Sequence, residues 1–128
     1  MKYALIGCGR ISPNHIVAAQ KNQLEIVALC DIAEHNMRDK IIKFKLPGTV
    51  KCYTDYKEML SKEKPELVAI ATESGKHAQI AIDCITLGHA NLIIEKPIAL
   101  SLEDVDHMIA AAEREGVKVC ACHQNRFN

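Results

Sequence analysis

Two periodicities alternate along this chain of 128 residues. Short, nearly continuous apolar runs read as strands covered on both faces, and between them apolar positions recur at helical spacing. The first run is KYALIG (2–7). Residues 10–21 then place Ile11, His15, Ala18 and Ala19 on one helical face. LEIVALCD (24–31) is strand-like. A charged stretch with Ile41, Ile42 and Phe44 follows and breaks at Pro47-Gly48, a loop signal. TVKCY (49–53) predicts a short strand, and Thr54 stands where it can cap a helix reaching about Leu60. ELVAIAT (66–72) is a strand. Residues 76–87 form a helix carrying Ile80, Ile82, Cys84, Ile85 and Leu87, ended by Gly88. ANLIIE (90–95) is the next strand. Ser101, with Asp104 where a capping box usually has Glu or Gln, opens a helix to about Glu115. Gly116 ends it, and VKVCACH (117–123) is the last strand.

Six strands alternating with five helical segments predict βαβ units: an α/β fold with a doubly wound, mostly parallel sheet and helices on both faces. Right-handed crossovers leave few topologies, and the commonest strand order is 3-2-1-4-5-6. No repeat, low-complexity tract or linker interrupts residues 1–128, which read as a single domain. Lys+Arg and Asp+Glu are both 16, so the formal net charge is zero. Without a basic stripe, a phosphate-backbone partner is not expected. No apolar stretch approaches the roughly 18 residues of a membrane helix. The start, MKYALIGCG, reads as a first strand and not as a signal peptide. The expected setting is therefore cytoplasmic, with neither nucleic acid nor membrane as partner.

Six cysteines occur, at Cys8, Cys30, Cys52, Cys84, Cys120 and Cys122. Five lie in or beside apolar runs, where free cysteine behaves as a small hydrophobe in a reducing compartment. No C-x-x-C is present. Cys120, Cys122 and His123 are the nearest approach to a metal cluster, but core packing is the expectation and no metal is predicted.

The residues that do not look like core collect at the carboxyl ends of the strands, where open parallel sheets bind ligands. GCGRIS follows strand one. There Gly7 permits a tight turn, and Gly9 lets the backbone approach a pyrophosphate. The N–H groups of Arg10 and Ile11 open a helix whose N-terminus favours an anion. Ser12 replaces the third glycine of the dinucleotide fingerprint and should pack slightly less closely. Asp31 ends strand two, about 20 residues on, where an acid can bond both hydroxyls of the adenosine ribose. Its charge, with Ile32 and Ala33 and no arginine following, favours NAD over NADP. A surface turn or helix cap is the plainer reading of the same aspartate. In TESGKH, Thr72 and Ser74 could bond a ribose or diphosphate, and His77 lies in the first turn of a helix facing the crevice. An N-cap and a solvated histidine would explain them equally. Glu95 and Lys96 end strand five. A partly desolvated lysine can do acid–base work near neutrality. Glu95 could orient a ribose hydroxyl or hold the lysine, and Pro97 stiffens the chain behind them. The bland alternative is a surface ion pair.

The element EKP after an apolar strand, preceded by GCGRIS, CDI and T-x-x-x-x-H, resembles the Gfo/Idh/MocA family of NAD(P)-dependent oxidoreductases over nearly the whole chain. The resemblance implies a Rossmann fold, NAD as cofactor, and Lys96 as a catalytic residue beside nicotinamide and substrate. It also places Asp31 and Glu95 on the cofactor. The tail CHQNRFN is similar to the branch that oxidises the 3-hydroxyl of UDP-N-acetylglucosaminuronic acid, which would set Gln124, Asn125 and Arg126 near the nicotinamide or the substrate. Glu73 departs from the family's usual proline after the threonine. The family also has a second α/β domain that carries most substrate contacts and an Asp/His pair. The resemblance thus implies that residues 1–128 are the NAD-binding half of a two-domain, homo-oligomeric enzyme acting on a sugar or nucleotide sugar, inactive in isolation. The reading from a different class is a non-catalytic dinucleotide-sensing or interaction module, which would keep Gly7, Gly9 and Asp31 and have no use for Lys96.

Overall fold

The computed structural model describes residues 1–72, 77–95 and 101–122, with backbone only for His77, Ala121 and Cys122. The chain order is β1 (Lys2–Ile6), α1 (Ser12–Lys21), β2 (Glu25–Cys30), α2 (Glu34–Lys43), β3 (Lys51–Tyr53), α3 (Tyr56–Glu63), β4 (Leu67–Ile70), α4 (His77–Thr86), β5 (Asn91–Glu95), α5 (Leu102–Glu115) and β6 (Val119–Cys122). The strands form one six-stranded sheet in the order β3-β2-β1-β4-β5-β6. Every pairing in it is parallel. The expected fold class and strand order are those observed.

Strand alternation divides the core in two. Ala4, Ile6, Ala28, Val68, Ile70, Leu92 and Ile94 face α3, α4 and α5, meeting Met59, Leu60, Ile85 and Met108. Tyr3, Leu5, Leu29 and Ala69 face the other way and meet Ile16 and Ala19 of α1 and Met37 of α2. Because helices cover both faces, the central strands have no polar side to show, which is why they read as unbroken apolar runs.

Several local expectations shift. Asp55, not Thr54, caps α3: its Oδ1 accepts the Lys57 N–H at 2.9 Å. The backbone is still extended at Asp55 and turns helical at Tyr56, so the cap falls to the later of two cap-forming residues. The helix then runs past Leu60 to Glu63. Strand β3 is shorter than predicted, because Val50 N–H bonds Pro47 O and the preceding residues belong to a turn. In α1 the inward residues are Ser12, His15, Ile16 and Ala19, while Ala18 is exposed. Cys8, Cys30 and Cys84 are buried as expected, but Cys52 and Cys120 are exposed. These two sit on β3 and β6, the edge strands of the sheet. Among the described residues no helix is long and apolar enough to cross a membrane.

The Ser101 cap is as predicted: its Oγ accepts the Asp104 N–H at 3.0 Å, and α5 closes on Gly116 at φ 71°. Ser101→Ala is expected to cost about 1 kcal/mol and to lower the melting temperature by about 3 °C, read by thermal circular dichroism.

Candidate dinucleotide site

The first strand leaves the sheet at Gly7, where φ is +99°, a region closed to most side chains. A Cβ at this position would lie 2.7 Å from both the Ala71 carbonyl carbon and the Thr72 nitrogen. Glycine is therefore demanded twice, by the turn and by the close approach of the end of β4. The Gly7 N–H donates to Cys30 O at 2.8 Å, which ties the turn to the end of β2.

Beyond it, the Cys8 N–H donates to Asp31 Oδ2 at 2.8 Å, and the Ala33 N–H donates to Oδ1 of the same carboxylate at 2.8 Å. Asn36 Nδ2 approaches Oδ2 at 3.4 Å. One half-buried carboxylate thus joins the glycine turn to the entry of α2. The Gly9 carbonyl accepts from the Ser12 N–H at 3.2 Å and from the Ser12 hydroxyl at 2.7 Å. Ser12 is fully buried, and this bond gives its hydroxyl a partner within the turn. Arg10, exposed, and Ile11, half-buried, lead into α1. No side chain caps α1 and no acid stands in its first turn, whereas Asp55 caps α3 and Ser101 caps α5. A positive helix end without a capping acid suits an incoming anion.

Gly7, Gly9, Asp31 and Thr72 line one groove of about 900 Å3, together with Ile32, Asn36, Tyr56, Gln79 and Ile80. Ile32 is 91% exposed, an apolar shelf beside the acid. The opposite wall is braced by Asp83, which accepts from the Tyr56 hydroxyl at 2.5 Å and from Gln79 Nε2 at 2.9 Å. Burial, then the bond to Asp83, pushes the Tyr56 hydroxyl above the usual phenol range, so it stays a neutral donor. Burial and the charge of Asp31 push the Cys8 thiol up to about 12, and the same two causes raise Cys30 to about 12. Both thiols are protonated near neutrality and pack without acting as nucleophiles.

Of the other predicted site residues, Glu95 is not in this groove. It is 3% exposed, and its Oε1 lies 2.6 Å from Nε2 of His15, itself 6% exposed. His15 is the residue that sequence reasoning missed, because it was read only as part of a helix face. The signal was there in two halves: a histidine on the inward face of one helix, and a glutamate ending an apolar strand. His77 begins α4, with only its backbone described. Ser74, Lys96, His123, Gln124, Asn125 and Arg126 lie outside the described residues. Among the described residues no group of His, Cys, Asp and Glu is arranged to hold a metal.

A doubly wound parallel sheet with a glycine turn, an uncapped first helix and an acid at the end of β2 defines a dinucleotide-binding domain. Comparison with known proteins carries this further. Residues 1–123 match the model of the Gfo/Idh/MocA oxidoreductase family, described as an oxidoreductase family with an NAD-binding Rossmann fold, and the chain belongs to that family. It is 40% identical over 125 residues to D-apiose dehydrogenase of Paraburkholderia graminis, across 97% of this chain and 32% of the relative. Myo-inositol 2-dehydrogenase of Thermotoga maritima is 28% identical over 129 residues, across 100% of this chain and 37% of the relative. Among solved structures, the WlbA dehydrogenase of Bordetella pertussis in complex with NADH and UDP-GlcNAcA superposes with a TM-score of 0.85 at 30% identity, covering 100% of this chain and 39% of that one. The chain thus spans between about a third and two fifths of the length of these relatives.

Proposed function

We propose that this chain is the cofactor-binding half of a two-domain, NAD-dependent dehydrogenase acting on a hydroxyl of a sugar or nucleotide sugar. The observation that carries the reading is Asp31, held by two backbone amides at the rim of the groove that Gly7 and Gly9 also line. Its charge favours ribose hydroxyls and opposes a 2′-phosphate. No basic side chain lines the groove among the described residues. The turn after β1 and the N-terminus of α1 would hold the pyrophosphate. Asp31 would take the adenosine ribose, with Ile32 beneath the base. When bound, NAD supplies the hydride acceptor.

The chain's own contribution to chemistry in this proposal is Lys96, the residue after the last one of β5. It would take the substrate hydroxyl proton. Thr72, Ser74 and His77 would lie along the cofactor, and Gln124, Asn125 and Arg126 near the nicotinamide or substrate. The likeness to a dehydrogenase of a free sugar, and to a dehydrogenase solved with a nucleotide sugar, supports the substrate class. The tail CHQNRFN favours the nucleotide sugar. Cys8, Cys30, Cys52, Cys84 and Cys120 are free, which suits a reducing, cytoplasmic setting.

Isothermal titration of the chain should show NAD binding, with NADP weaker by at least about tenfold. Equal binding of the two, or no heat at millimolar NAD, would overturn the assignment. In the two-domain protein, Lys96→Ala should abolish turnover and leave NAD binding intact. Unchanged cellular function after that substitution would point to a dinucleotide-sensing module.

A further inference from the structure

We propose that His15 is a positioning residue. Through Glu95 it ties the helix that receives the cofactor's phosphates to the strand end that leads into Lys96, and so sets the nicotinamide half of the cofactor in register with that lysine. The proposal rests on the NAD-dehydrogenase reading above and deepens it.

The pair's location argues for this role. Along β5, Leu92 and Ile94 face α3, α4 and α5, while Ile93 packs on the α1–α2 side. Alternation puts Glu95 on that second side, where the neighbouring positions are apolar. Strand β4 lies between β1 and β5, so this contact links the helix that follows β1 to a strand two places along the sheet. The partners are 80 residues apart and meet at 2.6 Å. Among the described ion pairs it alone has both side chains buried, at 6% and 4% exposure. The Tyr3 hydroxyl donates to the His15 carbonyl at 3.4 Å and fastens that turn of α1 to the sheet.

Stability is a poor explanation for such a contact. Two packed apolar residues usually stabilise as well as a buried ionic pair, or better. What the pair supplies and apolar packing does not is direction. It orients the Glu95 side chain, and with it the last residue of β5. Glu95 directly precedes Lys96 in the chain, while the other end of the tether is the helix that follows the glycine turn lining the groove. A shift of α1 on the phosphates and a shift of the β5 end are thereby made one movement.

ADP-ribose, which lacks the nicotinamide, separates this role from simple stabilisation. NAD and ADP-ribose should be titrated into the chain, its His15→Ala and His15→Gln variants, and the apolar double variant His15→Leu/Glu95→Leu. The unsubstituted chain should prefer NAD to ADP-ribose by about tenfold. His15→Ala should erase that preference while ADP-ribose affinity changes less than about twofold. His15→Gln keeps an N–H for Glu95 and should retain most of the preference. The double variant should fold stably, as shown by its melting curve, and still lack the preference, which keeps the test decisive if His15→Ala unfolds. Parallel losses for both ligands, or a preference that survives in the double variant, would overturn the positioning role alone. Failure of the unsubstituted chain to bind either ligand would overturn the dehydrogenase reading and this inference with it.

Discussion

Gly7→Ala is expected to destabilise the chain by about 3 kcal/mol or more and to abolish NAD binding in whatever remains folded. The added methyl would meet backbone atoms of Ala71 and Thr72 at 2.7 Å, and neither can yield as a side-chain tip could. The φ of +99° adds its own penalty for any L residue. Relief would require moving the turn away from β4 and breaking the bond from the Gly7 N–H to Cys30 O. The same bond helps set the groove, so stability and binding should fall together. Urea denaturation measures the first and isothermal titration the second. Gly48→Ala is the matched control. A Cβ there meets nothing within 4 Å, and a change within about 0.5 kcal/mol is expected. If Gly7→Ala matched that control, the close approach of β1 and β4 at this turn would be disproved.

Asp31→Ala should weaken NAD binding by about 2–3 kcal/mol, which is roughly 30- to 150-fold. Hydrogen bonds to a charged acceptor are among the stronger ones, and this carboxylate would lose its ribose partners. It also holds the Cys8 and Ala33 amides, so part of the loss would come from slackening of the turn. NADP should respond differently, because removing the negative charge removes the repulsion of its 2′-phosphate. The ratio of NADP to NAD affinity should therefore rise towards one. An equal loss for both dinucleotides would show that Asp31 acts on the turn alone and does not read the ribose.

The fold was legible in the sequence because its signals are local. Each apolar run marks a doubly covered strand, each gap is long enough for a crossover helix, and handedness then leaves few sheet orders. The glycine turn and Asp31 were legible for the same reason, since each follows directly from a strand end. What could not be read depends on relations between distant segments. The His15–Glu95 contact joins residues 80 apart in the chain, and nothing near either residue names the other. Cys52 and Cys120 look like core residues in their own strands, and only the sheet order makes those strands edges. Thr54 and Asp55 are both able to cap a helix, and the turn of the backbone chose between them. Ala18 fell on the wrong side because helical phase, read from small apolar residues, tolerates a one-residue rotation.

The amides that clasp Asp31 also bear on how a dinucleotide would arrive. Both oxygens are already oriented by the chain before any ligand is present, so little rotational freedom is left for this side chain to lose on association. The adenosine end would thus meet a rigid receptor, and whatever adjustment the encounter demands would be passed along to the opposite, reactive end.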